Sequence, residues 1–275
     1  MAGKVESLGL CDHTRSVLTG VVREIIAFLA ETVQPEKIFL LNHPTLDGAG
    51  ATGYVDLLVV VPCRSHILFA EHQGLVEFSN LRSHQVVCSL HRSDAVSAAL
   101  AQGHIHYSLS CTPNRLVYNS GDSPLPVTPQ HLLQALREQA TLKFEESYGK
   151  ALAFYVSAQS CAHEVIGIFL LHQAAEMAYR AILHSLMDKA PHTHSIKALI
   201  KHSRRCTPQL YSVFPRDTPA EKQLVHQLED AYLKARYEPG YSISPNVREL
   251  LFERVGKLLG VTRQVFDGKV KSFFT

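Results

Sequence analysis

Residues 163–187, HEVIGIFLLHQAAEMAYRAILHSLM, contain no proline and one early glycine, and are long enough for about seven helical turns. On a helix, His172, Glu176, Arg180 and His184 fall on one stripe, each four residues after the last. Nearly everything off that stripe is apolar, from Val165 and Ile168 through Ala174 and Tyr179 to Leu186. A helix apolar over most of its circumference must be covered on several sides, so this stretch predicts the central helix of a bundle. Its polar stripe either meets solvent along a slot or lines a site.

The neighbouring sequence supplies the covering helices. One long helix, or a broken pair, is predicted over His131–Ala158, and a shorter one from about Ser195 in HSIKALIKHSRR. Thr218-Pro219-Ala220-Glu221 combines an N-cap, a proline at the first helical position and a capping-box glutamate, which starts a fourth helix running to about Arg236. Ser244-Pro245 repeats the start signal for a last helix through Phe266. Five helices on short loops predict an up-and-down bundle. The last helix carries Leu250, Leu251, Val255, Leu258, Leu259, Val261, Val265 and Phe266, a face wider than one apolar stripe requires, which points to a subunit interface.

Upstream, residues 119–129, NSGDSPLPVTP, read as a loop and domain boundary, dividing the chain into 1–122 and 123–275. The first part alternates element types. A helix is expected over His13–Val33, stopped by Pro35, then a short buried strand KIFLL at 37–41 and a Gly/Thr-rich loop. YVDLLVVVP at 54–62 is the most strand-like run; its continuous β-branched residues predict a strand covered on both faces. A helix over His66–Asn80, a strand at 84–90, a short Ala-rich helix over Asp94–Gln102 and an edge strand within RLVYNSG at 115–121 complete a small α/β domain. The fold class is therefore α/β plus all-α.

Composition narrows the functional classes. Hydrophobic content of 46% with 19% charged residues describes a globular chain, and a net charge of +2 does not announce a polyanionic partner. The six cysteines form no C-x-x-C pair, which argues against a zinc ribbon or a disulfide frame and for reduced thiols. No apolar run approaches membrane-spanning length and MAGKVESLGL is no signal peptide, so a cytoplasmic location without a membrane partner is expected.

The stretch IFLLNH-PTLDGAGATG-YVDLLVVV resembles the signature of minimal nucleotidyltransferases of the polymerase-beta superfamily: a strand ending in Gly-Ser, a loop of roughly ten residues, then Asp-x-Asp opening an apolar strand. There glycine admits the triphosphate, serine binds a phosphate oxygen, and the carboxylates hold the metal ions. This chain keeps the frame but places Asn42 and His43 at Gly-Ser and Tyr54 at the first aspartate, leaving Asp56 alone; the third strand, HQVVCSLH, has no acid. The resemblance thus implies a degenerate site, with magnesium relevant only if that site is active after all and no other cofactor. By itself, Asp56 reads as a strand-end residue capping nearby amides.

The second part, about Thr128–Lys271, resembles the HEPN family, a bundle that often accompanies such domains in prokaryotes. The resemblance rests on LLHQAAEMAYRAIL at 170–183, HTHSIKAL at 192–199 and DAYLKARYEPGY at 230–241. In ribonuclease members an arginine near the end of the fourth helix is followed by four to six residues and a histidine, which handles the 2′-hydroxyl proton beside the cation. Arg236 matches the arginine, but Tyr241, Ser242 and Ile243 stand where the histidine belongs. In the branch carrying Ala-Arg-Tyr, matched by Ala235-Arg236-Tyr237, nucleotide binding is the more usual role. The resemblance implies a ligand contact at Arg236 and a homodimer through the bundle; the sequence adds Tyr237 and Tyr241 flanking that arginine, and the polar stripe opposite, where Glu176 is expected to orient Arg236 and His172 or Arg180 to reach the ligand.

Plainer alternatives accompany each reading. Arg236 also suits the negative end of its helix dipole, and Glu176 pairs by spacing with Arg180. His192-x-His194 and His104-x-His106 offer paired imidazoles but no acid or thiol beside them, so no metal is assigned. The function expected is nucleotide or RNA binding without catalysis. A working HEPN ribonuclease or nucleotidyltransferase of the toxin–antitoxin or defence type, or a purely structural partner-binding module, are the alternatives.

Overall fold

The structure is a computed structural model that describes residues 18, 20–41, 54–63, 70–71, 85–121, 123–124, 127–188 and 190–274. The chain divides into two compact units, Met1–Leu133 and Gln134–Thr275.

The first unit contains α1 (Gly20–Thr32), β1 (Lys37–Leu40), β2 (Tyr54–Val61), β3 (Gln85–Arg92), α2 (Ser93–Ala101), α3 (Ile105–Ser110) and β4 (Leu116–Asn119). The strands form a mixed four-stranded sheet in the order β3-β2-β1-β4. β2 runs parallel to β3, whereas β1 is antiparallel to both β2 and β4. Because side chains alternate along a strand, β2 feeds two cores. Leu57, Val59 and Val61 pack with Ile25, Ile26 and Leu29 of α1. Leu58 and Val60 pack with Phe39, Leu116 and α2 residues Val96 and Leu100. The strand is covered on both faces, as its β-branched run predicts. Gln34 closes α1 in the left-handed region at φ 50°, where its N–H and that of Val33 both donate to the Leu29 carbonyl.

One feature departs from expectation here. No element is expected over 104–114, yet that segment holds α3 and most of a 3₁₀ turn at Pro113–Arg115. Of the helix expected over His66–Asn80, only residues 70–71 are described, and they are helical; the rest lies outside the described residues.

The second unit is helical: α4 (Leu133–Ser160), α5 (Glu164–Met187), α6 (Ile196–Ser203), α7 (Pro219–Tyr237) and α8 (Pro245–Phe274). α5 is central and packs on α6, α7 and α8. Lateral bonds give the directions. Tyr148 and Tyr155 of α4 donate to the Leu259 and Phe252 carbonyls of α8, so those helices are antiparallel. Ser147 meets His184, and Lys143 meets Asp188 at the far end of α5, so α4 and α5 are antiparallel too. Thr218 and Glu221 form the expected capping box, and Ser195 caps α6 through the Ala198 amide.

α4 is one unbroken helix, and α8 runs beyond Phe266. The surplus apolar face expected on α8 is used inside the unit: Leu251, Val255, Leu258, Leu259, Val265 and Phe266 are buried, and Leu250 is exposed. The width reflects packing against both α4 and α5, so it no longer argues for a subunit interface.

Candidate functional site

The polar stripe of α5 is an internal network. Glu176 is 1% exposed, and its carboxylate accepts from Arg180 Nε at 2.9 Å and from His194 Nδ1 at 3.1 Å to each oxygen. Gln173 Nε2 adds a third donor at 3.3 Å. The other nitrogens of Arg180 reach back to the Thr193 and Pro191 carbonyls, at 2.7 and 3.4 Å. One guanidinium thus ties α5 to the loop before α6, and Glu176 holds both that cation and a histidine of the same loop. The four-residue spacing has decided the partner: Glu176 binds Arg180, not Arg236.

His172 lies one turn earlier and is fully buried. Its Nε2 is 3.1 Å from the His194 carbonyl, which can only accept, so Nε2 carries the proton and Nδ1 accepts from Gln173 at 3.2 Å. Burial pulls its pKa down to about 4, against the opposing pull of Glu176, so the ring is neutral at ordinary pH. His172 is enclosed because the stripe faces α6 and its leading loop, whereas Glu176, buried beneath its partners, stands in the wall of the adjoining cleft. Arg180 is committed in the same way, with its side chain 15% exposed.

Tyr232 of α7 joins this network to the surface. Its ring stacks on His194 with centres 4.6 Å apart and planes 17° from parallel, and lies 5.1 Å from His172. Arg236 Cζ stands 4.3 Å from the same ring centre, 5.0 Å from that of Tyr237 and 5.3 Å from that of Phe169. Arg236 Nε donates to the Tyr232 carbonyl at 2.7 Å, which fixes the guanidinium at the end of α7. Arg236 is exposed and has no carboxylate partner among the described residues. Tyr237 is 73% exposed. Tyr241 is only partly exposed: its hydroxyl lies 3.5 Å from the Gln227 carbonyl, and burial pushes its pKa up to about 12. Gly240, at φ 78°, allows the chain to turn between Glu238 and Tyr241.

An adjoining cleft of about 510 Å³ is lined by α4 and α5 together with His194. Its cations are all compensated: Lys143 pairs with Asp188, Lys150 with Glu146 and Arg180 with Glu176. Arg236 therefore differs from every cation in that cleft.

In the sequence His194 stands out only through the His192-x-His194 pair and its place before the Ser195 cap, neither of which points to Glu176; its side chain is 55% exposed although its ring is held by that buried carboxylate.

In the first unit, Asp56 is fully buried on β2 and Tyr54 opens that strand; Asn42 and His43 lie outside the described residues. Among the described residues no group of three or more His, Cys, Asp or Glu is arranged to hold a metal ion. No helix among them is long and apolar enough to cross a membrane.

Residues 144–268 match the family model of the HEPN domain, which takes in α5, α6 and α7 whole and most of α4 and α8. No curated protein matches the chain. The match points to RNA binding or ribonuclease-type function and covers none of the first unit.

Proposed function

We propose that the second unit binds a nucleotide or a single-stranded RNA segment at the C-terminal end of α7, without cleaving it. One observation carries this reading: Arg236 is an exposed guanidinium with no carboxylate partner among the described residues, held by a backbone bond among aromatic rings. The planar fork suits two phosphate oxygens at once, and the exposed Tyr237 ring beside it suits a base. The absence of a histidine at positions 241–243, where Tyr241, Ser242 and Ile243 stand, argues for binding rather than hydrolysis.

The first unit, in this reading, is a nucleotidyltransferase-like domain that has lost its metal carboxylates, with Asp56 structural. The partner is a second copy of the chain. The apolar surface available for that pairing includes Leu142, Leu152 and Val156 on α4 and Leu233 on α7, each 41–73% exposed.

A thermal-shift screen of the whole protein against nucleotides and short RNAs tests the reading. Stabilisation without turnover supports it. Cleavage or nucleotide transfer favours an enzyme, and silence across the panel favours a structural module.

A further inference from the structure

We infer that the loop joining α6 to α7 closes a separate binding site, for a small phosphate dianion, at the opposite end of α7 from Arg236. Its three groups are Arg216 in that loop, Arg254 on α8 and Tyr179 on α5. α7 spans Pro219–Tyr237, so this place and Arg236 lie about 25 Å apart along the helix axis. The inference does not rest on the nucleotide reading above.

Two links bring the groups together. Arg254 Nη1 donates to the Val213 carbonyl at 3.3 Å, which ties α8 to the loop three residues before Arg216. Burial pushes the pKa of the Tyr179 hydroxyl up, and the nearby Arg216 charge opposes that push. The acids at the end of the loop are engaged elsewhere. Asp217 accepts the Tyr211 hydroxyl at 3.0 Å, and Glu221 accepts the Asp217 and Thr218 amides at 3.0 and 2.8 Å. Neither pairs with Arg216 or Arg254.

The unmet hydrogen bonds define the ligand. The Nε atoms of Arg216 and Arg254 and the hydroxyl of Tyr179 are buried, and none has a hydrogen-bond partner among the described residues. Tyr179 is 0% exposed. A guanidinium can only donate, so two cations and a phenol offer protons where no acceptor answers them. Enclosed charge without a counter-charge is unfavourable, and a water molecule brings two lone pairs but no charge. A phosphate dianion brings unprotonated oxygens for both planar forks and for the hydroxyl. Free phosphate and the end of a small phosphomonoester share that chemistry. Once bound, the anion pins the α6–α7 loop to α5 and α8.

The test uses the full-length protein in phosphate-free buffer, with inorganic phosphate and glycerol phosphate as probes at constant ionic strength. Isothermal titration calorimetry should give a saturable heat, and the melting temperature should rise over the same concentration range, as binding to the folded state requires. The tighter probe identifies the source of the dianion. Arg216→Gln should weaken binding at least about tenfold, the loss of one charge-assisted hydrogen bond. Arg254→Lys keeps the charge without the fork and should weaken it too, which reads the site even where Arg216→Gln does not fold. Arg236→Ala should leave the affinity unchanged. No saturable heat from either probe overturns the inference, as does affinity that is undiminished in both loop-site variants or lost in Arg236→Ala. That last result would put the phosphate at the other end of α7 and leave the nucleotide reading standing without this one.

Discussion

Glu176 is buried, and the imidazole of His194 that it holds through Nδ1 stands at the surface. The carboxylate is taken out of water to fix Arg180, one turn further along α5, and His194 of the loop before α6, and the arrangement is stable only while the charges match. Replacing Glu176 with alanine leaves the Arg180 guanidinium largely enclosed with only carbonyl partners. The expected loss is about 3–5 kcal/mol, the usual consequence of removing one member of a buried pair. A urea midpoint measurement reads it directly, and a loss below about 1 kcal/mol would contradict the network described here.

His172 makes stability depend on pH. Burial lowers its folded pKa to about 4, whereas an unfolded histidine titrates near 6.5. Between those values the unfolded chain binds more protons, so stability is complete above about pH 6.5 and falls as pH drops toward about 4, by up to about 3 kcal/mol from this residue. Burial also depresses His184 and His202, which add to the same slope. Melting temperatures taken from pH 7.5 down to pH 5 should fall, and His172→Gln should flatten the curve. A variant curve parallel to the wild type would remove His172 from the account.

Tyr179 is fully buried on α5, and its hydroxyl has no hydrogen-bond partner among the described residues. Tyr179→Phe removes a desolvated polar group while keeping the ring. The expected change is a gain of up to about 1 kcal/mol, read as a raised melting temperature. A loss of about 1 kcal/mol or more would mean that the hydroxyl makes a bond not described above.

The first unit should not transfer nucleotides. With radiolabelled nucleoside triphosphates and magnesium, no labelled product is expected, because Asp56 alone cannot hold two metal ions. Product that disappears in Asp56→Ala would contradict this. Asn42→Gly combined with Tyr54→Asp should not restore full activity, since β3 contributes no carboxylate.

Much of the fold was legible because local patterns and burial agreed. The run from Tyr54 to Val61 is apolar at successive positions and is packed on both faces. Thr218 and Glu221 formed their capping box where the sequence placed it. α3 escaped because six residues are too few to show a helical period. α4 left open whether it was one helix or two, since Leu142, Leu152 and Val156 point outward while Phe144, Tyr148 and Ala151 point inward, which blurs its amphipathic pattern. At the site, spacing gave the Glu176–Arg180 pair, but His194 is eighteen residues from Glu176 and no periodicity links them. The outward apolar width of α8 misled for a related reason: one helix serving two neighbours looks, in sequence, like one with a face to spare.

The central claim is that Arg236 is a ligand contact rather than a structural cation, and Arg236→Lys tests it most directly. Lysine keeps the charge and can still sit over the Tyr232 ring, but it lacks the planar fork that takes two phosphate oxygens. Fluorescence anisotropy with a fluorescein-labelled oligouridylate of about eight nucleotides and a melting curve are recorded on the same preparation. The account predicts at least about tenfold weaker binding, or about 1.4 kcal/mol, with an almost unchanged melting temperature. A lowered melting temperature with affinity intact would contradict it, making Arg236 structural and placing the site elsewhere.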